Sequence, residues 1–172
     1  MTIKISTTYE TLESIMGVYG RTKKNGGSRE ESTAVIGGFI SEKGEQGFVG
    51  TDGMPHCIFP KLTDEQMLMG VTSIQSHPFT IVGEDGYHTT MPSADDMALF
   101  RLCDLNIIVG YINTPTNSSE AYPTSSDKIG AAFFDASSTK IGVMSMRSIE
   151  KIVDNRSHAS NSHFKKLLDY GH

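Results

Sequence analysis

Apolar side chains fall into short blocks along the chain, separated by runs rich in Gly, Ser, Thr, Asn and Asp. The first block is helical. Tyr9, Leu12, Ile15 or Met16, and Tyr19 recur at the spacing of one helix face, Thr7-Thr8-Tyr9-Glu10 supplies a capping box, and Gly20 offers a stop. This predicts a helix over residues 8–19 and then an exposed polar loop from Arg21 to Arg29. From Ser32, the run Thr-Ala-Val-Ile-Gly-Gly-Phe-Ile-Ser reads as a buried strand, with Gln46 to Gly50 returning beside it after a turn at Gly44. Thr63-Asp-Glu-Gln66 caps a short helix that reaches Met69, and a strand from Val71 to Ser76 follows.

His77-Pro78 ends that strand, and a loop rich in Gly, Asp and Thr leads to Met91-Pro92-Ser93. Ser93-Ala-Asp-Asp96 opens a helix that offers Met97, Phe100, Leu102 and Cys103 to a core, and Asn106–Ile112 is the clearest strand of the chain. The segment Asn113–Asp127 reads as a surface loop or a disordered one. Ile129–Phe134 and Lys140–Met144 are two strands facing each other across Asp-Ala-Ser-Ser-Thr. Ile149, Ile152 and Val153 suggest one helix, and Phe164, Leu167 and Leu168 a last short one. No repeat of solenoid period occurs, and the irregular alternation of elements predicts an α/β fold with a central mixed sheet flanked by helices.

Composition narrows the classes. A chain of 172 residues with 37% apolar and 20% charged residues is expected to form one domain with an ordinary core. The 15 basic against 20 acidic residues give a net charge of −5, which argues against a surface that neutralises nucleic-acid phosphates. Cys57 and Cys103 are too few for a disulfide framework and lack a metal-type spacing, so a reducing compartment is expected. The amino terminus lacks the apolar stretch of a signal peptide, and no run is long enough to span a bilayer. The expected setting is therefore the cytoplasm or a macromolecular assembly.

The chemistry concentrates in three distant segments. His77 stands at a strand end and Asp96 in the first turn of the next helix, where the intervening loop lets the two converge; both residue types are zinc ligands. Glu31 immediately precedes a buried strand, where a carboxylate can take a proton from water and return it to a leaving amine. Taken singly, each has a plainer reading: Ser93-x-x-Asp96 is also a capping box, His77-Pro78 a turn, and Glu31 a solvated charge.

In this order the three segments resemble the JAMM or MPN family of zinc-dependent peptidases and isopeptidases, whose pattern is Glu-x-x-Gly-x-Leu-x-Gly, then His-x-His-Pro, then Ser-x-x-Asp. Glu31, Ala34, Ile36 and Gly38 follow the first element with Ala and Ile substituted; Gln75-Ser-His77-Pro78 follows the second with Gln in the first His position; Ser93 and Asp96 match the third. The resemblance spans residues 8–145 and implies a cytidine-deaminase-like JAMM/MPN domain over 1–145 with a carboxy-terminal helical extension over 146–172. It implies Glu31 as general base, Ser93 as oxyanion stabiliser, and His77, Asp96 and the residue at Gln75 as metal ligands for zinc. A neutral amide is a much weaker zinc ligand than an imidazole. Three arrangements follow: a dead site on a scaffold that binds partners, weak metal binding through Gln75, or replacement of the missing ligand by His88. The implied partners are a protein or peptide substrate or the other subunits of a larger assembly, with no nucleic acid and no membrane. The remaining histidines (His56, His158, His163, His172) lack spacing that would make a site by themselves.

Overall fold

The computed structural model describes residues 3–80, 89–112, 125–156 and 166–170, with residues 3–5 and 166–170 described by their backbone. A short strand β1 (Ile3–Thr7) leads into helix α1 (Tyr9–Lys24), followed by β2 (Ser32–Ile36), β3 (Ile40–Lys43), β4 (Phe48–Val49), β5 (Pro55–His56), α2 (Asp64–Leu68) and β6 (Val71–Ser76). The second half runs α3 (Ala94–Phe100), β7 (Leu105–Tyr111), β8 (Ile129–Phe134), β9 (Lys140–Ser145), α4 (Met146–Asn155) and β10 (Lys166–Tyr170). Six strands form the central sheet in the order β3-β2-β6-β7-β8-β9, and β6 and β7 are its parallel pair, joined through α3. The expected mixed sheet flanked by helices is thus observed.

Strand alternation divides the sheet into two faces with different jobs. On one, Val35, Ile74, Ile107, Val109 and Phe133 pack against Leu12, Ile15 and Val18 of α1 and Met146 and Ile149 of α4. On the other, Ile108, Ala132 and Phe134 meet Phe100 of α3, while Ala34 and Val71 meet Cys103 and the partly buried Phe59, Leu62, Met67 and Leu99. Asn106 fastens α3 to this second face. Its amide nitrogen donates to the carbonyls of Phe100 and Cys103 at 3.2 and 3.4 Å, and its Oδ1 accepts from Ser73 Oγ at 2.5 Å.

Several sequence expectations need correction. Helix α1 does not stop at Gly20; it continues to Lys24, with Thr22 buried and Arg21, Lys23 and Lys24 complementing its carboxy-terminal dipole. It ends where Gly26 and Gly27 turn to φ of 86° and 74°. A Cβ on Gly27 would sit 3.1 Å from that of Phe79, so glycine serves both the turn and the close approach. The hairpin after β2 turns at Gly37-Gly38, both at positive φ, and its returning strand is β3; Phe48–Val49 pairs instead with β5. The expected final helix around Leu167 and Leu168 is a strand, β10, antiparallel to β1, so the 146–172 segment is not wholly helical. Met97 and Leu102 are exposed rather than in the core. The expected loop at 113–127 lies outside the described residues over 113–124, as do His88, His158, His163 and His172.

Met146 and Ile149 are fully buried in the same core as α1, so α4 is built into the sheet's main layer rather than appended to it. Ile149→Ala is expected to lower the unfolding free energy by about 2–4 kcal/mol, as for other fully buried isoleucines, and chemical denaturation would measure it. A loss within a few tenths of a kcal/mol would mean that α4 is dispensable to the core.

Candidate functional site

The parallel pair creates the site. A crevice opens beyond the carboxyl ends of β6 and β7, the usual position for a site in such sheets, and α3 begins there. Gln75 lies on β6, and His77 just beyond it shares the same side by the two-residue period; Asp96 lies in the first turn of α3. A cleft of about 470 Å³ lies here, with Glu30, Gln75, His77, Ser93 and Asp96 among its lining residues.

The His77 backbone is held before its side chain acts. Its N–H donates to the carbonyl of Val109 at 2.9 Å, and the following Phe79 is fully buried against Tyr19 and Tyr111. The Phe79 carbonyl accepts from Tyr111 Oη at 2.9 Å. On the imidazole, Nδ1 lies 2.6 Å from the Thr89 carbonyl oxygen, which can only accept, so Nδ1 carries a proton. Nε2 then faces Asp96 Oδ2 at 3.1 Å.

Asp96 is engaged on both oxygens. Oδ1 accepts from the Gln75 amide at 2.5 Å, and Oδ2 accepts from the Ser93 N–H at 2.8 Å as well as facing His77. Ser93 Oγ accepts in return from the Asp96 N–H at 3.1 Å, completing the capping box. Burial works against charge on both His77 and Asp96, but each is overcome. The hydrogen bond and charge of Asp96, with Glu30 and the Thr89 carbonyl, hold His77 above its ordinary value. His77, the Ser93 N–H and Gln75 hold Asp96 below its own. Raised His and lowered Asp values mean that the ion pair stabilises most between the ordinary values of 3.8 and 6.5, fading with acid as Asp96 protonates and with base as His77 deprotonates.

Glu31 does not join this group. Its carboxylate turns to the opposite side, where it accepts from Asn25 Nδ2 at 3.0 Å and Gln46 Nε2 at 3.3 Å and lies 3.5 Å from Arg21 Nε. The neighbouring Glu30 lines the cleft instead. The sheet register explains the exchange: Ser32 pairs with Gln75, so the residue two before Ser32 lies on the Gln75 side and the residue one before it does not. Parity with Ala34, in a strand whose Val35 faces α1, was the available signal. Of the residues expected to meet, Gln75, His77, Ser93 and Asp96 come together; Glu31 stands apart.

Glu30 is 7% exposed, and burial pushes its carboxyl up to about 7, with the Asp96 charge adding to the effect and His77 opposing it. Cys57, another lining residue, is a neutral thiol pushed up to about 12 by burial and then by the Glu30 charge.

Zinc, which the family resemblance implies, does not fit this donor arrangement. With Nδ1 donating to the Thr89 carbonyl, Nε2 is the nitrogen His77 would offer a metal on losing its proton, but the Gln75 group directed at Asp96 is its NH₂, a donor, so the third of the three protein ligands a catalytic zinc needs is missing. Comparison with family models, with curated proteins and with solved structures finds no match for the chain. Among the described residues, no helix is long and apolar enough to cross a membrane.

A carboxyl raised from 4.5 to about 7 weakens the native state wherever the unfolded chain would ionise it first. Glu30→Gln is therefore expected to stabilise the fold by on the order of 3 kcal/mol above pH 7, with the gain vanishing below about pH 4.5. Thermal melts across that range would check this. A variant less stable than the parent at pH 8 would contradict it.

Proposed function

We propose that the chain is a JAMM/MPN-like domain in which a metallopeptidase-type cleft has become a hydrogen-bonded binding site, so that the domain holds a peptide or partner subunit in a larger assembly instead of cutting it. One observation carries this reading: both oxygens of Asp96 are already satisfied by Gln75, His77 and the Ser93 N–H. Where the family has an imidazole able to offer a lone pair, Gln75 offers hydrogen atoms to the remaining acid. The His77 imidazolium and the Gln75 amide together balance a buried carboxylate that a divalent cation would otherwise balance. The cleft, the capping box and the parallel strand pair need none of the chemistry to persist.

A second reading, hydrolysis of an amide or isopeptide bond, draws on Glu30. A carboxyl pushed to about 7 gains and loses a proton near neutrality, the property wanted of a general acid–base group. In that reading Glu30 takes the part first assigned to Glu31.

Metal analysis separates the two. After dialysis against zinc, the unaltered protein is expected to retain far less than one equivalent, while Gln75→His retains about one, because a second imidazole joins His77 and Asp96. Stoichiometric zinc in the unaltered protein would overturn the binding-module reading in favour of hydrolysis. No zinc in either protein would remove the JAMM/MPN mapping.

A further inference from the structure

The unusual group in the cleft is Glu30. Of the acids there, Asp96 is fully partnered and Asp95 is exposed, but Glu30 is only 7% exposed as a residue and its side chain receives no hydrogen bond or ion pair from the described residues. A carboxyl this far withdrawn from water is costly to ionise until a donor meets it. Its own strand does not demand it, since the structural pairing with α1 is made by Glu31 through Arg21 and Asn25. Apolar residues share the cleft with Glu30: Met54 and Met91, 53% and 74% exposed, and Leu99 line it, alongside polar groups such as His56 and Thr89. Because His77 and Asp96 neutralise each other, Glu30 and the exposed Asp95 are the acids of the cleft left to meet a cation.

A cleft that offers apolar side chains and an acid together is complementary to a side chain with an aliphatic stem and a cationic tip. We propose that the cleft takes a lysine side chain of a partner polypeptide, its methylenes against Met54, Met91 and Leu99 and its ammonium at Glu30. This rests on the reading of the site as a binding cleft and gives that cleft its ligand class. Asp95 at the rim adds attraction for a basic segment, as does the net charge of −5. The ammonium supplies hydrogen-bond donors that none of the described residues gives Glu30, so the desolvation already imposed on the acid is offset at the moment of binding.

The test is calorimetric titration of the full chain with acetyl-Gly-Gly-Lys-Gly-Gly-amide, beside the same peptide carrying norleucine or Nε-acetyl-lysine in place of lysine. Norleucine keeps the stem and loses the ammonium, whereas acetylation keeps the stem and an N–H, adds an acetyl group and removes the charge. The lysine peptide is expected to bind at least about tenfold more tightly than either, the usual worth of a charge-assisted hydrogen bond. Glu30→Gln, confirmed folded by its melt, is expected to erase that preference. Equal affinity for the three peptides, a preference that survives Glu30→Gln, or no binding at roughly millimolar lysine peptide would overturn the proposal. The comparison of uncharged peptides keeps the result decisive if the variant fails to fold. Zinc uptake by the unaltered chain would overturn the binding-module reading separately, while equal peptide affinities without zinc uptake would overturn the lysine assignment alone.

Discussion

A carboxylate taken out of water must be answered by donors, and the arrangement around Asp96 answers it with three: the Gln75 amide, the His77 imidazolium and the Ser93 backbone N–H. These come from β6, from the turn after it and from the start of α3, so the ionised acid pulls together the two elements that flank the parallel connection. The orientation of His77 follows from the same group, because Thr89 fixes one ring nitrogen and Asp96 takes the other. Without Asp96, Gln75 would be a buried amide with an unused donor and the His77 charge would have no counterpart. The chemistry open to the cleft is therefore set by how completely this one acid is occupied.

Much of the framework is written in local patterns strong enough to read directly. Val71–Ser76 and Ile129–Phe134 occur over the expected spans, and Thr63 and Ser93 cap the expected helices, because continuous apolar runs and capping boxes are decided within a few residues. What escaped the sequence depends on partners far along the chain. Gly20 looks like a helix end, yet burial of Thr22 against Ser76, 2.6 Å between their hydroxyls, carries α1 a further turn. Leu167 and Leu168 fit a short helix as well as a strand, and pairing with β1 decides between them. Gly37-Gly38 inside an apolar run marks a turn rather than an interruption, a distinction that lies in backbone handedness and not in hydropathy.

The adjacent acids Glu30 and Glu31 show how finely the site depends on register. One residue of displacement separates a carboxylate held by Arg21, Asn25 and Gln46 from one that lines the cleft. Motif spacing read along the chain selected the first; the pairing of Ser32 with Gln75 selects the second. His77, Ser93 and Asp96 were legible because each sits at a punctuated boundary, a strand end or a helix cap, whose position the sequence marks. Glu30 sits at no such boundary. Its role depends on which side of a sheet it faces, and that is known only once the neighbouring strand is in place.

Phe79 and Thr89 are both tied to the sheet near His77. Phe79 is clamped through Gly27 and Tyr111, while Thr89 bridges to Tyr111 and accepts from His77. Mechanically these are two rivets on a common plate, and both hold the His77 ring against the sheet rather than against solvent. The geometry of the ion pair thus travels with the sheet and α3, as a fixed module of the frame.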